Sequence, residues 1–404
     1  MKVYFFRLFI GCFLVFSCTE KNPIYDLITQ PIPEIEKVVK HLDQHGLQVI
    51  FTQIDRDDQG VPSFTDHRFG VDDRLYFYPA STVKLPVAVL TLQRINELKE
   101  KGFTISLTSP LIISAQGSTS FKHEPDTTAL NDKWTLAQLI ANIFLVSDNE
   151  AYNYLFDFLG ADYINRELQK KGFKHSQILH KLGLNTGHHG PWKYQFYKEG
   201  EMKYHQLSAP SSTNQERGRL MGEVIGKAYL NDAGEKVHYP FDFGQKNQLS
   251  LNDMHAFMKR ILFPESFAEE DRFNLNKADY VFLRRCMGAT PLTANNPAYT
   301  QPDYWDSYVK FFMFGDQKTP IPKHIRIYNK VGEAYGTLTE TAYITDSQQG
   351  IEFMLSATVF VNENGIFNDD LYEYEDIGIP FLAALGRAVY AYERSRINRV
   401  INKI

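Results

Sequence analysis

Cysteine is scarce in this chain of 404 residues, which contains only Cys12, Cys18 and Cys286. Cys12 lies in a stretch with the character of a cleaved leader, described below, and Cys18 follows directly after that stretch. Once the leader is removed and Cys18 is acylated, Cys286 stands alone. A single cysteine forms neither an intrachain disulfide nor a cysteine-based metal site, so we expect Cys286 to be a small buried residue.

Basic character and the common nucleotide and metal motifs are also lacking. The formal net charge is −5 and no basic stripe occurs, which argues against a nucleic-acid partner. The sequence has no Gly-x-Ser-x-Gly elbow, no His-Glu-x-x-His pair, no phosphate-binding loop and no dinucleotide fingerprint. The adjacent residues His188 and His189 cannot face one ion, and no suitably spaced carboxylate accompanies them. We therefore predict no metal site and no cofactor.

Long hydrophobic runs are absent except for one short stretch near the N terminus. The first seven residues carry two positive charges, and residues 8–16 form an apolar run that is too short to span a bilayer as a helix. This order is typical of a signal peptide, which we place at residues 1–17. The sequence Val15-Phe16-Ser17-Cys18 is similar to a relaxed lipobox, the bacterial motif whose cysteine is lipidated after cleavage.

Residues 18–33 are polar and contain proline, as suits a tether. We therefore expect an exported protein of the bacterial cell envelope, periplasmic and held at the membrane by a lipid on Cys18. The alternative is a plain cleaved signal in which Cys18 is incidental. Apart from the anchor no membrane contact is expected, and we expect the protein to act as a monomer.

Two kinds of pattern fill the rest of the chain. Apolar residues at helical spacing predict helices over 34–45, 85–98, 134–145, 151–159, 250–262, 279–287 and 377–397. Runs rich in β-branched and aromatic residues predict strands over 47–54, 308–314, 324–329, 336–345 and 351–361. The strands lie toward both chain ends and the helices fill the middle. This distribution predicts one sheet built from both ends of the chain, with a helical lobe inserted.

The predicted fold class is α/β (α+β): an antiparallel sheet from both chain ends, flanking helices and an inserted all-helical lobe. We expect one domain over 34–404, with a sheet lobe at 34–78 and 301–404 and a helical lobe at 79–300. Within the helical lobe, residues 187–248 show no sustained period and predict an irregular insertion, with one helix near 216–230.

The pair Ser-x-x-Lys occurs twice in the sequence. At Ser81 and Lys84 it precedes a helical run in which Pro86 is tolerated only near the start, so both side chains share one face of the first turn. The free backbone N–H groups of that turn surround the hydroxyl. This is a candidate nucleophile, base and anion pocket. The second copy, Ser307 and Lys310, lies in a strand-like run where the two side chains point to opposite faces, and we interpret it as structural.

Two further motifs give Ser81 a context. Ser147-Asp148-Asn149 separates two apolar helices, and taken alone it is a turn whose polar residues cap the second helix. Lys330-Val331-Gly332 follows a predicted strand, and its glycine lets a backbone approach a ligand closely. Together and in this order the three motifs resemble those of class A β-lactamases and penicillin-binding proteins. The resemblance covers most of 34–404 apart from 187–248, and it implies a β-lactamase/transpeptidase-like fold.

The resemblance also implies roles for these residues. Ser81 would attack an acyl carbonyl and form an ester, with Lys84 as its base, and burial beside Lys330 would lower the pKa of Lys84. Ser147 would relay the proton to the leaving nitrogen and Asn149 would bind the substrate amide. The remaining substrate-binding residues it implies are Lys330, which supplies positive charge, Gly332, and Glu333, whose N–H would join that of Ser81 in the oxyanion hole.

Two positions depart from the family pattern. The residue between Lys330 and Gly332 is usually Thr or Ser, whose hydroxyl helps to hold the β-lactam carboxylate, but here it is Val331. Class A enzymes release the acyl group with a glutamate in a Glu-x-x-Leu-Asn segment, and the matching segment here begins with Lys181. Water activation would then be missing or would come from elsewhere, for example from Glu199 or Glu216.

Three readings follow from these observations. The first is a serine hydrolase of class A β-lactamase type that acts on β-lactams or related amides and esters, and so contributes to antibiotic resistance. The second is a carboxypeptidase, transpeptidase or esterase that acts on cell-wall peptides and releases its acyl group slowly. The third is a catalytically silent envelope lipoprotein, against which the five intact site residues argue: Ser81, Lys84, Ser147, Asn149 and Lys330.

Overall fold

The computed structural model describes residues 22–116, 134–183, 190–212, 218–295, 298–299 and 302–401. The expected signal peptide, Cys18, the pair His188 and His189, and Glu216 lie outside these residues. Helices α1–α10 of the described residues span Pro23–Ile28, Pro33–Val39, Leu42–His45, Lys84–Glu100, Leu136–Leu145, Asn149–Leu159, Ala161–Lys170, Leu251–Leu262, Lys277–Gly288 and Ile379–Ile401. None of them is both long enough and apolar enough to cross a membrane.

Strands β1–β15 of the described residues vary from two to ten residues. They span Gln48–Arg56, Pro62–Phe69, Leu111–Ala115, Ser176–Gln177, Trp192–Lys198, Glu201–Leu207, Val224–Ile225, Ala228–Leu230, Lys236–Val237, Phe241–Asp242, Gln248–Leu249, Ile325–Ala334, Thr337–Asp346, Ile351–Phe360 and Ile366–Phe367. The longest of them form one antiparallel sheet in the order β12-β13-β14-β1-β2. The predicted sheet from both chain ends is therefore confirmed.

Both faces of this sheet are covered. In β14, Phe353 and Leu355 belong to a core that includes helix α10, whereas the intervening Met354 belongs to the core of the helical lobe. This alternation follows from the two-residue period of a strand, and a strand buried on both faces is apolar throughout. Strand β12 extends to Ala334, so Lys330-Val331-Gly332 lies within the strand and not after it as predicted. Val331 belongs to the core that includes α10 and Val83 to the core of the helical lobe, so the motif on β12 and the motif at the start of α4 meet where the two cores join.

The inserted lobe is not entirely helical, which corrects the prediction. Strands β3, β5 and β6 form a three-stranded antiparallel sheet in it. In β5 the buried residues Trp192, Tyr194 and Phe196 alternate with partly exposed Lys193 and Gln195. This is a regular period of two, but it extends over only one strand, so a search for long periodic segments does not detect it.

The segment 187–248 is also more regular than predicted. Its described part carries short β-ladders, in which β7 pairs with β10, β8 pairs with β9 and β15, and β11 pairs with β4. The helix expected near 216–230 is wrong for the described residues, because strands β7 and β8 lie there. Strands of two or three residues are too short to show an alternating pattern, so they give almost no sequence signal.

Three smaller expectations also need correction. The expected tether is packed from Pro23 onward, because α1 buries Ile24, Leu27 and Ile28 beside β2 and α10. The helix predicted over 34–45 is divided into α2 and α3. The strand predicted over 308–314 is a series of turns. Cys286 is buried and free, as expected.

Candidate active site

Ser81 lies in the short 3₁₀ turn Ala80–Val83 that leads directly into α4. The preceding residue, Ala80, has a φ of 46°, a left-handed value that costs a non-glycine residue free energy and persists only where its surroundings enforce it. Ser81 is partly exposed, whereas Lys84, one turn later, is fully buried. The structure thus places the serine at the surface of a cleft and the lysine beneath it.

Strand β12 approaches this turn closely at Gly332. A Cβ at that position would lie 2.5 Å from the carbonyl oxygen of Pro79 and 3.2 Å from the backbone nitrogen of Ser81. Only glycine fits there, because both neighbours are backbone atoms that cannot move aside. The glycine therefore brings the strand against the serine turn, whereas the sequence suggested an approach to the ligand itself. The contact sets β12 and Glu333 alongside Ser81.

Lys84 is held by the Ser147-Asp148-Asn149 turn. Its Nζ donates to the carbonyl oxygen of Ser147, to Asn149 Oδ1 at 2.7 Å and to Ser147 Oγ at 3.3 Å. Burial lowers the pKa of Lys84 to about 7, against the opposing charge of Asp148. A substantial fraction of the amine is then neutral near neutral pH and is able to accept a proton.

Ser147 lies between two buried lysines. Lys330 Nζ donates to Ser147 Oγ at 2.9 Å and to the carbonyl oxygen of Val331 at 2.9 Å. Burial lowers the pKa of Lys330, and repulsion by Lys84 lowers it further. A left-handed φ of 56° at Ser147 aims its hydroxyl into this position. The hydroxyl can therefore pass a proton between an amine and a substrate atom in the cleft.

The other two residues of the turn have separate tasks. Asp148 caps α6 by accepting from the backbone N–H groups of Glu150 and Ala151 at 2.8 Å and 3.1 Å, as the cap interpretation predicts. Asn149 lies between Lys84 and the segment that follows α7, since a Cβ on Gly183 would lie 2.5 Å from Asn149 Nδ2. The amide is thus fixed on both sides.

Lys181 occupies the position at which a releasing glutamate was considered. Its Nζ forms an ion pair with Asp157 Oδ2 at 3.0 Å, and the two side chains are only 18% and 14% exposed. Burial raises the pKa of Asp157, and Lys181 opposes that rise. The position therefore supplies a paired ammonium and not a carboxylate. Leu184 and Asn185, which complete the segment, lie outside the described residues.

Two other candidate bases, His180 and Glu199, are engaged or distant. His180 Nδ1 contacts the carbonyl oxygen of Lys181 at 2.6 Å, and its Nε2 accepts from the backbone N–H of Asn247 at 3.1 Å. Burial lowers the pKa of His180, so the ring is neutral with both nitrogens occupied. Glu199 lies in the exposed turn between β5 and β6 and does not line the cleft.

The cleft has two compartments, and Ser81 borders both. The larger compartment has a volume of about 900 Å³ and the smaller one about 570 Å³. Asn149 and Glu333 also line both, whereas Val331 and Ser147 line only the smaller one. A depression of about 1080 Å³ elsewhere on the surface contains no residue of the three motifs. Ser81 thus has open space on either side.

Sequence reasoning missed the acidic side chain of Glu333. It is exposed to the cleft, but the enclosing walls reduce its hydration and, with repulsion from Glu375, raise its pKa to about 7. The sequence also gave no indication of Lys246, Tyr335 and Tyr374, which line the larger compartment. No short motif joins these residues, because they come from three separate parts of the chain.

The second Ser-x-x-Lys pair does not form a nucleophile and base. Lys310 is fully buried and donates to the carbonyl oxygens of Met287 and Ile327 and to Asn329 Oδ1, at 2.8 to 3.0 Å. Ser307 Oγ donates to the carbonyl oxygen of Gln317. The two side chains bind different groups, although they lie in a turn and not in the predicted strand.

Comparison with known proteins finds one family model and a set of similar solved structures. The sequence model of the family described as the β-lactamase enzyme family matches residues 34–392. Similar solved structures include PBP-A, at 15% identity and a TM-score of 0.49, covering 91% of this chain and 95% of that one. A class A β-lactamase from Mycobacterium abscessus has 14% identity and a TM-score of 0.48, covering 88% and 98%. A search of curated protein sequences found no match.

Proposed function

Because the chain belongs to the β-lactamase enzyme family, we propose that it is an active-site serine hydrolase that works through an acyl-enzyme on Ser81. The observation that carries this proposal is the proton path at the site. Ser147 Oγ lies 3.3 Å from Lys84 Nζ and 2.9 Å from Lys330 Nζ. No purely structural requirement calls for two buried lysines around one hydroxyl, since burial of a charge costs free energy.

The proposed reaction begins with attack by the Ser81 hydroxyl. Ser81 Oγ forms a bond to the acyl carbon while its proton passes to neutral Lys84. The bond between the acyl carbon and the leaving nitrogen then breaks, and the proton reaches that nitrogen through Ser147. Lys330 orients Ser147 and favours the negative charge that develops. Water must later cleave the ester to regenerate the Ser81 hydroxyl.

We propose that this last step is slow. The releasing position holds Lys181, paired with Asp157, and His180 has both ring nitrogens occupied. A missing general base typically costs about 100- to 10,000-fold in rate. The slow-release reading, a penicillin-binding carboxypeptidase or esterase, is therefore better supported than a rapid β-lactamase.

One observation supports rapid turnover as a second candidate. Glu333 borders both compartments together with Ser81, and its pKa is raised to about 7. A carboxyl group with that pKa is able to take a proton from water at neutral pH. If Glu333 acts in this way, the protein hydrolyses β-lactams with turnover that Glu333→Gln removes.

Incubation with a penicillin tests both candidates. The purified mature protein is mixed with the drug, and intact mass and drug hydrolysis are followed together. The proposal predicts a mass increase of one drug molecule that persists while little drug is hydrolysed. Rapid hydrolysis without accumulation would support the second candidate. Neither adduct nor turnover with any β-lactam, thioester or ester donor would refute both.

Acylation is expected to accelerate with rising pH through about 7. Lys84 accepts the proton of Ser81 only when its amine is neutral, and burial lowers its pKa to about 7. Below that pH the rate should fall about tenfold per unit as the amine becomes protonated. Mass spectrometry of adduct formation at a series of pH values measures this. A rate independent of pH across that range would contradict Lys84 as the base.

Val331→Thr is expected to speed acylation by a β-lactam that carries a carboxylate. Val331 lines the smaller compartment but has no hydroxyl to donate. A hydrogen bond to a charged group contributes about 1.5–3 kcal/mol, which corresponds to roughly tenfold or more in affinity. The measurement is the second-order rate of adduct formation, and Val331→Ala is the control without a hydroxyl. Equal rates in both variants would exclude this position from carboxylate binding.

We also propose that the protein is exported and anchored through Cys18. The support is the charged and apolar order of the first 17 residues and the lipobox-like sequence before Cys18. The test is metabolic labelling with a fatty acid in a bacterial host, in which wild type should be labelled and Cys18→Ser should not. Equal labelling of both, or of neither, would reject the anchor.

A further inference from the structure

Beyond the three motifs, Tyr78 and Tyr335 line the larger compartment, and further aromatic rings pack against these two. We call Tyr78, Phe241, Phe243, Tyr335 and Phe367 the aromatic wall. Ring centroids within it lie 4.7 Å apart for Phe241 and Phe243, 4.9 Å for Tyr78 and Tyr335, and 5.5 Å for Phe241 and Tyr335. Aromatic pairs at these separations add stabilisation beyond their buried area. The aromatic wall is therefore a packed cluster, of which Tyr78 and Tyr335 border the compartment.

The segment 218–247 packs against the end of β12 through this wall, where Phe241 contacts Tyr335. Strand β8 pairs with β15, and Asn368 Nδ2 donates to the carbonyl oxygen of Leu230 at 2.9 Å. A Cβ on Gly226 would lie 2.5 Å from the ring of Phe367. Tyr374 Oη accepts from the backbone N–H of Gly336, in the turn after β12, at 2.8 Å. The insertion thus has a fixed place beside Ser81.

Hydrogen-bond donors lie beside the rings in this compartment. Lys246 Nζ lies 5.7 Å from the ring centre of Tyr335, and its positive charge helps to lower the pKa of His180, another residue of the compartment. Tyr372 Oη accepts from the backbone N–H of Asn368 at 2.9 Å, and burial raises the pKa of Tyr372 to about 12. Tyr372 and Tyr374 thus keep their own protons to donate.

Carboxylates supply acceptors in the same compartment. Asp232 and Asp370 are exposed, and Glu333 lies at the end nearest to Ser81. A purely apolar ligand would cover these donors and acceptors without replacing their hydrogen bonds to water, which costs free energy. A small acyl group would leave most of the space to water, because about 900 Å³ is near the top of the range for ligand pockets, about 300–1,000 Å³.

From these contacts we infer that the segment 218–247 of the insertion builds a binding site for the acyl part of the substrate. Its specificity-determining residues are Tyr335 and Lys246. The inference rests on the proposed function. The ligand that this site fits is an extended, amide-containing acyl chain. Its N–H and C=O groups meet the carboxylates, phenols and ammonium, and its apolar parts cover Tyr78 and Tyr335. Such a chain places its reactive carbonyl at Ser81 and its far end at the insertion.

A series of thioesters with one common leaving group tests this. The acyl groups are acetyl, an N-acetylated single residue, N-acetylated di- and tripeptides, and an alkanoyl chain as long as the tripeptide. The rate of Ser81 acylation should rise with each residue and should not rise with the alkanoyl chain. Tyr335→Ala and Lys246→Ala should each lower the ratio of tripeptide rate to acetyl rate by roughly tenfold, the loss of one well-placed contact.

Tyr239→Ala is the matched control. Tyr239 lies in the same insertion but is 72% exposed and does not line the compartment, so its variant should keep the wild-type ratio. Thermal unfolding verifies that each variant is folded. A wild-type ratio near one, a preference for the alkanoyl chain, or ratios unchanged in both Tyr335→Ala and Lys246→Ala would overturn the inference, even if acetyl transfer to Ser81 succeeds.

A second measurement does not depend on acylation. Calorimetric titration of Ser81→Ala with the free N-acetylated tripeptide acid should show binding that weakens when Tyr335→Ala is added. Absence of binding would overturn the inference directly. Failure of every thioester to acylate Ser81 would refute the proposed function, and this titration would still decide the site.

Discussion

Lys84→Met is expected to slow acylation of Ser81 by about 100- to 10,000-fold, the usual contribution of a positioned base. Methionine keeps most of the buried side-chain volume but removes the amine that bonds to Ser147 and Asn149. Stability should change little or increase, because the lysine is fully buried and burial opposes its charged form. The measurement is the rate of adduct formation by intact mass, with thermal unfolding as the check on folding.

Lys310→Met provides the matched control. Lys310 is also a fully buried lysine and the end of the other Ser-x-x-Lys pair, but it donates to Met287, Ile327 and Asn329 and not to the turn that holds Lys84. Its loss should affect stability while the folded protein acylates at a rate close to that of wild type. A Lys84→Met variant that acylates as rapidly as Lys310→Met would show that another group takes the proton of Ser81.

The double variant Lys181→Glu/Asp157→Asn is expected to shorten the lifetime of the acyl-enzyme by about 100- to 10,000-fold, the reciprocal of the cost of a missing base. Lys181 lines the same compartment as Ser81 and follows His180 directly, so a carboxylate there lies beside the cleft. Asp157 must change as well, because a second buried carboxylate would repel the first and disfavour its ionisation.

Asp157→Asn alone is the control, since it removes the ion pair and leaves Lys181 in place. Deacylation is followed by loss of the adduct mass after unreacted drug is removed. Faster release in the double variant but not in the control would assign the slow step to position 181. Equal lifetimes in wild type, control and double variant would show that this position does not direct water to the ester.

The sequence was sufficient for the parts of the site that depend on local structure. Ser81 and Lys84 lie on one helical turn, and Ser147 to Asn149 are consecutive. The proximity of the residues within each motif therefore follows from their spacing alone. The long strands β13 and β14 and the first half of β12 also followed from composition, because buried strands are rich in apolar and β-branched residues. The direction of the shift in the pKa of Lys84 followed from its expected burial.

Other features depend on contacts between distant residues. The pairing of Lys181 with Asp157, 24 residues earlier, and the approach of Gly332 to Pro79 leave no pattern in a single sequence. The aromatic wall combines Tyr78, two residues of the insertion and two residues after β12, and no local period connects them. The turns at 308–314 resemble a strand in sequence because aromatic residues are enriched there. In the structure these side chains pack into the core, but the backbone does not pair with another strand.

Peptide mapping after reaction with a penicillin shows whether Ser81 is the residue that becomes acylated. Wild-type protein and Ser81→Ala are incubated with the drug, digested, and examined by tandem mass spectrometry. If Ser81 forms the acyl-enzyme, one drug-derived acyl group will be found on the peptide that contains Ser81. It will be assigned to Ser81 itself and will be absent from Ser81→Ala. An acyl group on another residue, or an equal adduct in Ser81→Ala, would contradict the account.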